Sequence, residues 1–227
     1  MIFRVLLLLF FISINSYANV NQAKSNEITQ EELLSLLPTD KFLGDIKAPV
    51  LMIEYASLTC YYCSLFHKNV FPEIKQKYID TGKVLYIFRH FPFDHCALKS
   101  VMLSYCYPKQ EDFFNFNNAV FDLIDSWNYS NLDDCGVLKS VALISNIKEE
   151  LYYQCTSTKN NPIIDRIIFD KSLAINKLGV SGSPAFFIKP NDDKLYLRVS
   201  EYKHEGYKKF KYFSEIIDEL HKKATDR

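Results

Sequence analysis

Continuous apolar runs and helical repeats alternate along the first part of the chain. Residues Val50–Ala56 are apolar except for Glu54, a pattern typical of a strand buried on both faces of a sheet. Apolar residues recur every three or four positions over residues 60–78, which predicts a helix that Pro72 should kink or interrupt. A second apolar run follows at residues 84–91. This order predicts two parallel strands joined by a crossover helix.

Only helical spacing is found from residue 94 to residue 164. The predicted helices of this block cover residues 97–105, 113–124, 137–145 and 148–155. The pattern then predicts a helix at residues 165–178 that ends at Gly179, and a hairpin with strands at residues 185–189 and 194–200. A final amphipathic helix is predicted at residues 207–222. We therefore expect an α/β fold that a helical block interrupts.

The first 18 residues have the three parts of an export signal. Arg4 supplies a positive charge, residues 5–12 are continuously apolar, and Ser16 and Ala18 are small residues that fit a cleavage site after Ala18. A membrane anchor is the alternative, but a spanning helix needs about 20 apolar residues. The sequence predicts a signal peptide at residues 1–18, then a leader with a short helix at residues 19–45.

Charge and cysteine content narrow the function. The 227 residues include 27 basic and 27 acidic side chains, so the charge gives no reason to expect a nucleic-acid partner. The six cysteines are an even number, which in an exported chain suggests disulfides. Of the many possible pairings, only Cys60 with Cys63 is favoured by proximity in the sequence.

Cys60 and Cys63 begin the helix that follows the first buried strand. Backbone N–H groups at a helix start favour a thiolate, the attacking form of cysteine. Cys63 lies one turn later, where it can close a disulfide or resolve a mixed disulfide. A purely structural bridge would gain little from closing so short a loop. A zinc site with His67 would lack the second pair of ligands that such sites commonly have, so we expect no metal and interpret His67 as packed or hydrogen-bonded.

Two further residues fit the same chemistry. Glu54 lies in a buried strand, where burial favours its neutral form and would suit it to take and return the proton of Cys63. The alternative is a carboxylate at the sheet edge that reaches solvent. Pro184 opens a strand, and a cis bond to Ser183 would turn the loop so that the Ser183 backbone could pair with a substrate strand beside Cys60. An ordinary loop proline is the alternative.

Three segments, taken in order, resemble the DsbA-like disulfide oxidoreductases of bacterial envelopes: residues 54–63, 88–92 and 182–187. The resemblance spans about residues 45–222. It implies a thioredoxin fold with an inserted helical domain, in which residues 46–93 and 165–227 form the two parts of the thioredoxin fold and residues 94–164 the insertion.

The resemblance also implies roles for individual residues. Cys60 would be the nucleophile, Cys63 the resolving thiol, Glu54 the buried acid and Pro184 the cis-proline. A looser resemblance, to a branch with a second bridge, implies a structural disulfide between Cys106 and Cys155. It assigns nothing to Cys96 and Cys135, which could pair with each other or leave one thiol free.

Two departures from the family pattern concern the expected substrate contacts, which are Tyr61, Tyr62 and Ser183. The dipeptide Tyr61-Tyr62 stands where the best-known oxidases carry Pro-His, so we predict a less acidic Cys60 and a less oxidising couple. Ser183 replaces the commoner Thr or Val, which leaves the substrate preference open.

The sequence thus predicts a monomeric periplasmic oxidase that needs no cofactor and acts on unfolded or reduced exported proteins. A DsbB-like membrane quinone reductase could reoxidise it. One alternative is an isomerase or reductase, although residues 19–45 are too short for the separate dimerisation domain of many isomerases. The other is a binding or chaperone module with a vestigial cysteine pair, against which the intact Cys60, Cys63, Glu54 and Pro184 argue.

Overall fold

The computed structural model describes residues 28–126, 135–145, 147–159, 161–192 and 199–226. The predicted signal peptide and the leader up to residue 27 lie outside the described residues. None of the helices within the described ranges combines the length and apolar character needed to cross a membrane.

Five strands form one sheet: β1 (Lys41–Leu43), β2 (Val50–Ala56), β3 (Val84–His90), β4 (Ala185–Pro190) and β5 (Lys203–Glu205). Their order across the sheet is β1-β3-β2-β4-β5. β2 and β3 are parallel and every residue of both is buried, which confirms the predicted pairing. The other neighbouring strands are antiparallel.

The predicted hairpin at residues 185–200 is only partly found. β4 forms where the first strand was predicted, but its antiparallel partner within the described residues is β5. Most of the second predicted strand, residues 194–198, lies outside the described residues. Its last two residues belong to the short helix α9 (Val199–Tyr202), so a strand there is wrong.

The remaining helices are α1 (Gln30–Leu33), α2 (Tyr61–Asn69), α3 (Phe71–Ile74), α4 (His95–Ser104), α5 (Gln110–Asp122), α6 (Gly136–Ile144), α7 (Glu149–Thr156), α8 (Pro162–Leu178) and α10 (Phe210–Thr225). A π-helical turn (Lys75–Ile79) continues α3, and a 3-10 turn (Ile124–Ser126) follows α5.

Local sequence signals explain several helix ends. The side chains of Thr29 and Glu32 form a capping box at the start of α1. The predicted helix interruption is confirmed, since α2 ends at Asn69 and Pro72 lies in the first turn of α3. α8 ends as predicted at Gly179, whose φ of 64° suits glycine. It begins three residues earlier than predicted, at Pro162, because proline is favoured at the first helical position.

The sheet separates two apolar layers. Alternate residues of β2 point to opposite faces, so Leu51 and Ile53 pack in the layer beside α8, whereas Met52 and Ala56 pack in the layer that contains α2 and α10. Glu54 lies two positions after Met52 and therefore points to the same face of the sheet. Its carboxyl group therefore lies between the sheet and the helix that carries the cysteine pair.

A buried ion pair anchors the segment after α1 to β3. The guanidinium of Arg89 donates to Asp40 through Nε at 2.9 Å and through Nη2 at 2.7 Å. It also donates to the backbone carbonyls of Leu33 and Ser35. The charge of Arg89 is thus fully hydrogen-bonded inside the protein.

Two disulfides join the helices that lie between β3 and β4. Cys106, just after α4, is bonded to Cys155 in α7. Cys96, in the first turn of α4, is bonded to Cys135, the residue before α6. The pairing of Cys96 and Cys135, which the sequence left open, is therefore settled in this structure.

Candidate active site

Cys60 lies at the junction of three structural elements. It is the N-cap of α2, and its Sγ accepts a hydrogen bond from the backbone N–H of Cys63 at 3.4 Å. The thiol donates to the carbonyl oxygen of Ser183, in the loop before β4, also at 3.4 Å. The preceding residue, Thr59, donates its hydroxyl proton to Asp94 at 2.6 Å. These contacts hold the sulfur at a helix start beside the loop of Ser183.

The two thiols differ strongly in acidity. Hydrogen bonding from the Cys63 side chain is the largest influence on Cys60. Together with the backbone N–H groups of Cys63 and Tyr62, it outweighs burial and lowers the pKa of Cys60 to about 6. Burial is the largest influence on Cys63 and raises its pKa well above the ordinary value, helped by Cys60 and by the charge of Glu54. Near neutral pH the pair therefore holds a thiolate at Cys60 and a thiol at Cys63.

Glu54 is fully buried, with 0% exposure, so the interpretation as a solvent-reaching edge carboxylate is wrong. Its Oε2 accepts a hydrogen bond from the Tyr86 hydroxyl at 2.5 Å and lies 3.1 Å from Nε2 of His67. His67 is hydrogen-bonded, as interpreted from the sequence. Across the described part of the chain, no group of three or more His, Cys, Asp or Glu residues is arranged to hold a metal ion.

The remaining predicted site residues surround Cys60 unequally. The Ser183–Pro184 peptide bond is cis, and Ser183 contacts Cys60 directly. Tyr61 and Tyr62 are 52% and 58% exposed and pack edge to face on each other, with ring centroids 5.7 Å apart. Their phenol groups thus form an exposed aromatic surface at the start of α2.

Two parts of the site were missed from the sequence. Tyr86 lies in the apolar run of β3, and a buried tyrosine hydroxyl needs a hydrogen-bond partner. The buried Glu54 in turn needs a donor, so the two residues could have been matched from the sequence. Asp94 caps α4 by accepting the N–H of Ala97 at 2.7 Å, and it also holds Thr59. Aspartate before a helical run is a common N-cap, which was the available signal for the cap, but nothing in the spacing pointed to Thr59.

Comparison with known proteins places this geometry in a family. A sequence model of the thioredoxin family matches residues 36–219. The chain is 62% identical to α-DsbA1 of Wolbachia pipientis, whose crystal structure aligns with a TM-score of 0.83 over 87% of this chain and 98% of that one. This chain belongs to the DsbA-like branch of the thioredoxin family. The fold and the family predicted from the sequence are therefore confirmed.

More distant relatives of this DsbA-like protein agree in fold and in name. BdbD of Bacillus subtilis, at 19% identity, has a TM-score of 0.63 over 81% of this chain and 93% of its own, and so shares the fold. A Rickettsia typhi protein named a protein-disulfide oxidoreductase is 30% identical over 170 residues, which are 75% of this chain. The chain spans 52% to 62% of the length of the Rickettsia relatives it matches.

Proposed function

We propose that this DsbA-like protein is a thiol–disulfide oxidoreductase that introduces disulfides into exported proteins through Cys60 and Cys63. The observation that carries the proposal is the position of the Cys60 sulfur at the start of α2, where it accepts the N–H of Cys63, beside the buried thiol of Cys63. A thiolate of low pKa is a good leaving group, and a couple whose reduced form is stabilised is a strong oxidant.

The reaction begins with the Cys60–Cys63 disulfide. A substrate thiolate attacks the Cys60 sulfur, the bond between the two cysteines breaks, and Cys63 leaves and takes a proton from Glu54. A second substrate thiolate then attacks the substrate sulfur of the mixed disulfide. The substrate disulfide forms, Cys60 leaves as a thiolate, and the protein is released in its reduced form.

Ser183 and the two tyrosines suit contact with the substrate. The carbonyl oxygen of Ser183 lies 3.4 Å from the Cys60 sulfur, so a substrate strand paired with that backbone would place its own cysteine beside Cys60. Pro184 has no N–H group and shapes the loop. The exposed rings of Tyr61 and Tyr62 would cover apolar side chains of the same substrate.

The setting of the reaction is part of the proposal. We propose that residues 1–18 direct export and that the mature protein works as a periplasmic monomer, with residues 94–164 as a helical domain inserted into the thioredoxin fold. The two disulfides of that region support an oxidising compartment, because such bonds rarely persist in the cytosol. A DsbB-like membrane quinone reductase is the proposed electron acceptor.

The reduction potential of the mature protein, equilibrated with glutathione, tests the direction of the reaction. We expect a value of about −120 to −180 mV, the range from DsbA to protein disulfide isomerase. The pKa of Cys60, about 6, lies between the values of about 3.5 for DsbA and about 7 for thioredoxin, so the couple should be less oxidising than DsbA. A potential near about −270 mV, like that of thioredoxin, would refute the oxidase and favour a reductase.

Two activity assays distinguish the oxidase from a binding module and from an isomerase. Oxidation of a reduced, unfolded model protein should be lost in the Cys60→Ala variant, and full activity in that variant would favour a binding module. Faster rearrangement of a scrambled substrate than oxidation of a reduced one would favour an isomerase.

A further inference from the structure

Within the described part of the chain, the carboxyl group of Glu54 is hydrogen-bonded through one of its two oxygens. Oε2 accepts the hydroxyl proton of Tyr86 at 2.5 Å and lies 3.1 Å from Nε2 of His67. Oε1 is buried and has no hydrogen-bond partner among the described residues. The two oxygens therefore have different chemical surroundings, and Oε1 is the one left to take a proton.

The geometry makes His67 a donor to Glu54. A carboxylate can only accept hydrogen bonds, so Nε2 of His67 carries the shared proton. Nδ1 of His67 is buried and has no hydrogen-bond partner among the described residues. The imidazole stacks on Phe121 at a centroid distance of 4.3 Å and contacts Phe88 edge to face, so packing as well as the hydrogen bond fixes the position of the ring.

His67 also lies on the helix of the resolving thiol. It follows Cys63 by four residues in α2, so both side chains lie on the same helical face. Glu54 is close enough to that face for its charge to act on Cys63. His67 can therefore fix the carboxyl group relative to the thiol that must gain or lose a proton.

We propose that His67 is a positioning residue that, with Tyr86, fixes Oε2 of Glu54 and leaves Oε1 to exchange a proton with Cys63. The inference rests on the proposed function, in which Glu54 serves as the acid and base of Cys63. His67 itself touches neither reacting sulfur in this scheme and acts only through the carboxylate.

The proton moves in opposite directions in the two half-reactions. When a mixed disulfide on Cys60 is resolved, the Cys63 proton passes to Oε1 and the Cys63 sulfur attacks the Cys60 sulfur. The Cys60–Cys63 bond forms, the bond to the partner sulfur breaks, and the partner leaves as a thiolate that takes a proton from water. When a thiolate attacks the oxidised protein, Cys63 leaves and takes the proton from Oε1.

Few other titratable groups face this carboxyl group. α2 contributes Cys63 and His67, and its N-cap is Cys60. β3 contributes Tyr86 and His90, which lie two positions on either side of Phe88, the strand partner of Glu54. Burial lowers the pKa of His90 to about 3, so it stays neutral. Around Phe66 and His67 of α2, three other elements contribute rings that do not titrate: Phe121 of α5, Phe186 of β4 and Phe213 of α10.

The test is the variant His67→Leu, which removes the donor and keeps an apolar side chain. A carboxylate that loses a hydrogen bond holds its proton to higher pH. The rate at which the Cys60–glutathione mixed disulfide, formed with oxidised glutathione, is resolved should therefore begin to rise at a pH about one unit higher. On the rising part of the pH profile the variant should be about tenfold slower than the parent protein. The attack of reduced glutathione on the oxidised protein, which needs the protonated acid, should not slow. Acid quenching and mass spectrometry measure both rates.

Three further variants make the result decisive. His67→Gln restores an amide donor near the position of Nε2 and should recover most of the resolution rate, whereas Tyr86→Phe should shift the profile in the same direction as His67→Leu. His90→Leu is the matched control, since it removes a buried histidine that does not contact Glu54, and its profile should stay that of the parent protein. Glu54→Gln removes the carboxyl group itself, so the rise of the resolution rate with pH that depends on Glu54 should be absent.

The outcomes separate this inference from the function on which it rests. A His67→Leu variant whose resolution rate and pH profile match those of the parent protein, while Glu54→Gln still impairs resolution, overturns the positioning role. An unimpaired Glu54→Gln variant instead refutes the use of Glu54 as the proton acceptor.

Discussion

The acidity of Cys60 predicts how the reduction potential changes with pH. Reduction of the Cys60–Cys63 disulfide takes up two protons when both products are thiols and one when Cys60 remains a thiolate. Each proton taken up contributes about −30 mV per pH unit to a two-electron couple. Because the pKa of Cys60 is lowered to about 6, the slope should change near that pH, from about −59 mV per unit below it to about −30 mV per unit above it.

The size of the effect follows from the same pKa. At pH 7 the Cys60 thiol, with a pKa of about 6, is present about ten times more often as thiolate than as thiol. This ionisation stabilises the reduced protein by about 1.4 kcal/mol relative to a thiol of ordinary pKa. That free energy corresponds to about +30 mV. Cys60 is partly exposed, so solvent screening makes this figure an upper bound. The raised pKa of Cys63 keeps a second change of slope out of the neutral range.

The sign of the linked stability is equally defined. The folded-state pKa of Cys60 lies below its ordinary value of 9.0, so ionisation stabilises the reduced protein fully above pH 9 and no longer does so once the pH has fallen through about 6. Equilibration with thiol buffers from pH 5 to pH 9, with trapping of the free thiols, measures the potential. A slope that stays near about −59 mV per unit up to pH 8 would refute the stabilised thiolate.

Substitutions at three places test other parts of the structure. Tyr62→His should lower the pKa of Cys60 by about one unit by adding a donor and partial positive charge, whereas Tyr62→Phe should leave alkylation profiles unchanged. Asp40→Asn should cost about 3–5 kcal/mol in urea unfolding, because the buried charge of Arg89 loses its partner. Removal of the Cys96–Cys135 bond by double alanine substitution should cost about 4 kcal/mol in guanidinium unfolding, since the bond closes a loop with a sequence separation of 39.

Features fixed by nearby residues were predictable from the sequence. The apolar runs of β2 and β3 indicated strands buried on both faces, and the helical segment between them indicated a parallel pair. The position of Cys60 at a helix start followed from the strand before it and the helical spacing after it. β1 was missed because it has only three residues, all of intermediate burial, which gives no periodic signal. Edge strands of this kind are specified by their partner rather than by their own pattern.

The environment of Glu54 could be predicted only in part from the sequence, because it also depends on the register of the sheet. A carboxylate in a buried strand must find donors, and that need was visible from the sequence. Its donors lie 13 and 32 residues away, at His67 and Tyr86. The parallel register pairs Met52 with Tyr86, which brings Tyr86 to the same face as Glu54 two positions along. A shift of one residue would turn Tyr86 to the opposite face. The local sequence therefore showed that Glu54 needs hydrogen-bond donors. Which residues donate depends on a strand pairing that only the folded sheet defines.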